Sequence, residues 1–189
     1  MTIGLAGRPG SGKSAVAQAL ARREGVEWID LDRVAWEAYA PGTPSFRRVV
    51  ERFGDEIVAP NGEIDRGELA VRVFLDADAK QDLEAIVHPA VIERLTALQA
   101  EHERRGTSLL LVEGALLTAS PHVDRMLFDV VIWLEASESV RRARLAADGR
   151  VDHVGRGDGL SPGDAAVVVD AEGTVAEVAD QVLAAIERT

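Results

Sequence analysis

The chain has 189 residues, no cysteine, 47% hydrophobic and 28% charged residues, and a formal net charge of −11. That length suits one domain with a sizeable core; the composition is globular, and no apolar run reaches transmembrane length. The lack of cysteine excludes disulfides and thiolate metal sites and fits the cytoplasm, while an acidic surface without a basic stripe disfavours nucleic-acid backbones and anionic membranes.

The first residues run directly into an apolar stretch, so no signal peptide is expected. Residues 2–6 read as a strand. Gly7-Arg8-Pro9-Gly10-Ser11-Gly12-Lys13-Ser14 follows, matching G-x-x-x-x-G-K-[ST], and a helical pattern runs over 14–23. Strand, glycine loop and helix in that order form the setting of a phosphate-binding loop. Gly10, Ser11, Gly12, Lys13, Ser14 and Ala15 are the expected nucleotide contacts. Backbone amides and the helix N-terminus would cradle phosphate oxygens, Lys13 would reach the β- and γ-phosphates, and Ser14 would ligate Mg2+. Lys13 carries extra weight, because Lys13 and Lys80 are the only lysines in an arginine-rich chain. A compact ammonium fits a phosphate cradle where a planar guanidinium does not.

A second strand over 26–29 leads into Ile29-Asp30-Leu31-Asp32 and a helical pattern over 31–40. Carboxylates at the carboxyl edge of a parallel sheet face the ligand crevice. Two roles are open to them, general base toward an acceptor hydroxyl and cap of the helix over 31–40; Asp32 suits the base better and Asp30 the cap. The two share a side only if the strand continues. Residues 41–105 are almost wholly helical in pattern, broken by a turn at Pro60-Asn61-Gly62, and read as a substrate-holding insertion. His88-Pro89 is expected to mark a helix boundary. His88 itself is open between a core or capping role and a ligand contact.

The strand over 109–113 ends in Glu113, either a magnesium-holding acid at the strand end or a cap or surface carboxylate. Further strands are expected over 130–134 and 166–169, with helices over 137–148 and 175–188. The near-unbroken Val, Ile and Leu runs suit parallel strands buried on both faces. Arg66, Arg144 and Arg150 are candidate phosphate-facing cations, whereas Arg141, Arg142 and Arg156 read as solvated helix faces. Residues 149–164 are rich in Gly and Asp and read as a lid loop. Trp28, Trp36 and Trp133 read as core or packing residues. His102, His122 and His153 show no metal-ligand spacing. The expected fold is α/β: a P-loop kinase fold with five parallel strands flanked by helices, a helical insertion at 41–105 and a short lid.

The loop, Asp30-Leu31-Asp32, Pro41-Gly42, Phe53-Gly54, Asn61-Gly62, Asp65-Arg66, Val73-Phe74, Val87-His88-Pro89, Val112-Glu113 with Leu116-Leu117, and Arg144 fall in a familiar order. From residue 1 to about 148 the chain resembles the dephospho-coenzyme A kinase family, from the last step of coenzyme A biosynthesis. The resemblance implies transfer of the ATP γ-phosphoryl group to the ribose 3′-hydroxyl of dephospho-CoA, with ATP and Mg2+ required. It implies Asp32 as base, Arg66 and His88 in or near the acceptor pocket with Glu113 beside the substrate, and Arg144 facing the phosphates. A monomer or weak homo-oligomer is expected. The chain departs from the family at Asp148, where many relatives carry arginine and where Arg150 is a substitute. It departs again at Asp170-Ala171-Glu172-Gly173, where Asn often follows Asp. Another small-molecule P-loop kinase and a non-catalytic nucleotide or CoA binder are the alternatives; a GTPase is disfavoured because no Asn-Lys-x-Asp motif is present.

Overall fold

The computed structural model describes every residue except 115, 116, 119–124, 158, 164 and 166. Leu116, His122 and parts of the expected lid therefore lie outside the described residues, as does the side chain of Arg156. The chain divides into two compact units, one of residues 1–31 with 99–189 and one of residues 32–98.

The first unit is built on strands β1 (Thr2–Gly7), β2 (Val26–Asp30), β3 (Leu109–Glu113), β4 (Val130–Glu135) and β5 (Val167–Asp170). All pairings are parallel, and the order is β2-β3-β1-β4-β5. β1 is central, so the loop leaving its carboxyl end opens where the strand order reverses, the place where α/β sheets bind ligands. Helices α1 (Lys13–Leu20) and α7 (Val175–Ile186) supply Val16, Ala17, Leu20, Val178, Ala179 and Val182 to one core with Ile3, Leu5, Leu111, Ile132 and Leu134. On the sheet face away from that core, Trp133 of β4 is fully buried and Gly4 meets Val131, Phe128 and Leu117. Burial of both faces in β1, β3 and β4 is why those strands lack polar alternation. Thr174 and Glu177 close α7 with a reciprocal capping box, which satisfies first-turn amides.

Helix α2 (Leu31–Ala38) starts directly at the end of β2. The second unit continues with α3 (Pro44–Phe53), a 3-10 turn at Asp55–Ile57, a single antiparallel bridge between Val58 and Ile64, and α4 (Arg66–Leu75). Helix α5 (Ala77–Arg104) contributes its residues up to 98 to this unit. Thr43 caps α3 by accepting from the Phe46 amide, with Pro44 as first helical residue. Val49, Phe53, Ile57, Ile64, Leu69, Ile86, Val87, Val91 and Leu95 are buried.

One expectation fails here. His88-Pro89 is no boundary, because α5 runs through Pro89 for 28 residues. An interior proline forfeits one helical hydrogen bond and costs about 3 kcal/mol. The buried Ile86, Val87, Val91 and Leu95 on either side outweigh that cost.

Candidate phosphoryl-transfer site

The glycine loop is held from several directions. Gly10 has φ +81°, and a Cβ there would lie 2.6 Å from the Arg141 carbonyl oxygen, so only glycine fits without strain. The Ser11 amide donates to the Arg8 carbonyl at 3.0 Å, forming the turn. Lys13 Nζ donates to the carbonyls of Gly7 at 2.8 Å and Arg8 at 3.3 Å, so its ammonium lies inside the loop. Gly12 precedes α1 and has no side chain to take up first-turn amides. The amides of Ser14 and Ala15 thus remain suited to phosphate oxygens. Ser14 and Ala15 are exposed, while Ser11 is buried and its Oγ has no hydrogen-bond partner.

Two arginines of α6 (Glu138–Ala147) brace this loop. Arg144 donates from Nη1 to Ser11 O at 3.2 Å and from Nη2 to Gly173 O at 3.1 Å, joining the loop to the β5–α7 connection. Arg141, expected on a solvated face, is instead 6% exposed and donates to Pro9 O at 3.3 Å. The reason is the close backbone approach that Gly10 permits. Arg142 does stand at the surface, paired with Glu138 at 2.8 Å. Glu172, on the same connection as Gly173, accepts from the Ser137 amide at 2.9 Å; the Ser137 hydrogen bonds hold its carboxyl below the usual range.

The loop also has a buttress at its start, which short-range motifs do not reveal. Arg8 pairs with Glu135 at 2.8 Å and lies 5.7 Å from the Trp133 ring centroid; Trp133 Nε1 donates to the other Glu135 oxygen at 2.7 Å. Residues Val151–Gly157 form 3-10 turns, and a Cβ on the buried Gly157 would lie 2.7 Å from Pro9 Cδ. Arg150 is exposed and near His153 Nδ1 at 3.2 Å.

Carboxylates gather at the sheet's carboxyl edge. Asp30 and Glu113 are register partners in β2 and β3, so their side chains lie on one face as neighbours. Glu113 is 4% exposed, which removes the surface-acid alternative. Hard carboxylate and hydroxyl oxygens are the donors that Mg2+ prefers, so Ser14 with these acids fits that ion. Among the described residues no cluster of three or more His, Asp or Glu side chains could hold a metal alone. No described helix is long and apolar enough to cross a membrane.

The strand does not continue past Asp30, so alternation does not align it with Asp32. Asp32 is exposed in the first turn of α2, where a carboxylate favours the helix dipole. In the helical unit, Arg66 is exposed on the first turn of α4 and His88 is half-buried on α5. Trp36 is not a core residue: it is 47% exposed, and the Arg66 guanidinium lies 4.1 Å from its ring centroid.

Over its whole length the chain superposes on TT1252 from Thermus thermophilus, with TM-score 0.78, 29% identity and 96% of that chain covered. It also superposes on a dephospho-CoA kinase from Campylobacter jejuni, with TM-score 0.62 and 18% identity over 98% of this chain and 95% of that one, a likeness of fold. Sheet order and glycine loop thus define a P-loop kinase fold. The dephospho-CoA kinase family profile matches residues 1–154. A dephospho-CoA kinase from Geobacter metallireducens is 37% identical, covering 97% of this chain and 94% of the relative. The chain belongs to the dephospho-CoA kinase family, and as a kinase it takes its phosphoryl group from ATP.

Proposed function

We propose that this protein transfers the γ-phosphoryl group of ATP to the ribose 3′-hydroxyl of dephospho-CoA, yielding ADP and coenzyme A. What carries the reading is the family match over residues 1–154, a span that contains the loop, Asp32, Arg66 and His88. In this reading Lys13 and the amides of Gly10 to Ala15 hold the donor phosphates. Charge develops on phosphate oxygens during transfer, and preformed donors stabilise it without reorganising. Lys13 already sits on loop carbonyls, so phosphate oxygens would replace part of that hydrogen bonding. Mg2+, held by Ser14 with the carboxylate oxygens of Asp30 and Glu113, would neutralise charge on the β- and γ-phosphates. Arg144 sets the relation between the loop and the 171–173 connection.

Asp32 acts as the base: it takes the hydroxyl proton as the new O–P bond forms and the bond from Pγ to the ADP oxygen breaks. Arg66 and His88 place the acceptor, with Glu113 near its ribose, and residues 149–164 with Arg150 serve as the lid. The helical unit is the acceptor-binding part of the chain.

Incubation with ATP, Mg2+ and dephospho-CoA should produce ADP and CoA in equal amounts. Asp32→Asn should lower kcat about 10²- to 10⁴-fold, the usual contribution of a positioned base. Native protein that forms no more CoA than this variant would overturn the reading.

A further inference from the structure

Arg66 stands in the first turn of α4, where the helix dipole opposes a cation. The adjacent acid does not compensate. Asp65 Oδ1 accepts from the amides of Gly67 at 2.9 Å and Glu68 at 3.1 Å, acting as the helix cap. Tyr39 does not compensate either: burial pushes its phenol up, against the charge of Arg66, and it stays neutral near pH 7. Among the described residues Arg66 makes no ion pair, although the chain carries 32 acidic residues. An aromatic face holds it instead. The guanidinium carbon lies 4.1 Å from the centroid of the Trp36 ring on α2, and that ring is half open to solvent.

A flat guanidinium on an aromatic face keeps its N–H donors in its own plane, pointing past the ring edge. An acid partner would consume those donors. The stack orients them and leaves them available to an anion. We infer that Trp36 is a positioning residue for the acceptor, presenting the Arg66 donor edge to the phosphate oxygens of dephospho-CoA. This rests on the proposal that Arg66 faces the acceptor. The planar fork matches phosphate geometry, and a stacked fork loses less freedom on binding than a mobile one. Trp36 therefore acts on acceptor binding and not on the chemical step.

The test is steady-state kinetics on the full chain with ATP, Mg2+ and varied dephospho-CoA. Trp36→Ala should raise KM for dephospho-CoA about threefold to tenfold, the range of a partly exposed cation–π contact. The kcat and the KM for ATP should stay within twofold. Trp36→Phe, which keeps an aromatic face, should recover most of the loss, and this rescue separates positioning from a general folding defect. In Arg66→Ala, adding Trp36→Ala should raise KM no further. If Arg66→Ala raises KM for dephospho-CoA but Trp36→Ala leaves it unchanged, the inference fails while the placement of Arg66 stands. If Arg66→Ala itself leaves that KM unchanged, the placement of Arg66 fails and the inference with it.

Discussion

The two units hold their cations by different means. At the carboxyl edge of the sheet unit, Lys13, Arg141 and Arg144 are tied to main-chain carbonyls of residues 7, 8, 9, 11 and 173. In the helical unit, Arg66 rests on one half-exposed aromatic ring. The first arrangement is rigid, because backbone positions are fixed by a closely packed sheet. The second rests on one side chain alone: the ring orients the guanidinium, but no main-chain carbonyl holds it. Polyphosphate is a constant ligand that rewards a fixed cradle. The difference teaches that the cations around the glycine loop are placed by backbone, and Arg66 of the helical unit by another side chain.

Three changes would break or sharpen that contrast. The largest effect is expected from Gly10→Ala. A methyl group there meets the Arg141 carbonyl and sits on a φ of +81°, costing about 1–3 kcal/mol of local strain. A loop displaced by about 1 Å should lose about 10²-fold in kcat/KM for ATP. A near-native rate in this variant would show that the cradle is not fixed by its backbone contacts.

Arg144→Ala should come next. Losing the bridge between Ser11 O and Gly173 O should raise KM for ATP about tenfold, with KM for dephospho-CoA within twofold. Arg144→Lys should recover little, since one ammonium cannot reproduce a fork that serves two carbonyls. Equal changes in both KM values would erase the division between backbone-held and side-chain-held binding.

The smallest effect tests the sheet unit away from the loop. The Thr107 hydroxyl at 2.7 Å, with further help from His102 and Arg105, holds the Glu27 carboxyl below its usual range. A folded-state value below the unfolded one means stability that is complete above the unfolded value and is lost as pH falls through the folded value. Glu27→Gln should therefore cost about 0.5 kcal/mol at pH 7 for so exposed a group, and the difference should shrink as the pH falls below the ordinary carboxylate range. Urea titrations at pH 7 and in acid measure it, and turnover at pH 7 should not change.

Much of the donor half was legible in the chain. The loop, its lysine and the strand before it are neighbours in sequence, so a short pattern carries their geometry. The runs over 109–113 and 130–134 were readable as strands because burial on both faces leaves no polar alternation. Arg141 was misread because its surroundings come from Pro9 and Gly10, more than 130 residues away. The Glu135 and Trp133 buttress of Arg8 escaped for the same reason. Trp36 was misread in the other direction: a large aromatic residue is usually buried, and only the position of α4 reveals that this one serves Arg66.

By itself, the sequence determined the glycine loop and the parallel α/β architecture, because local periodicity and spacing are enough to specify them, and its ordered motifs carried the resemblance to the family. Only the tertiary structure decided that α5 continues through Pro89, that Glu113 and Arg141 are buried, and that Arg66 is held by a ring instead of an acid. Burial and pairing depend on which distant segments fold against a residue, and that information is stored in packing rather than in neighbouring letters.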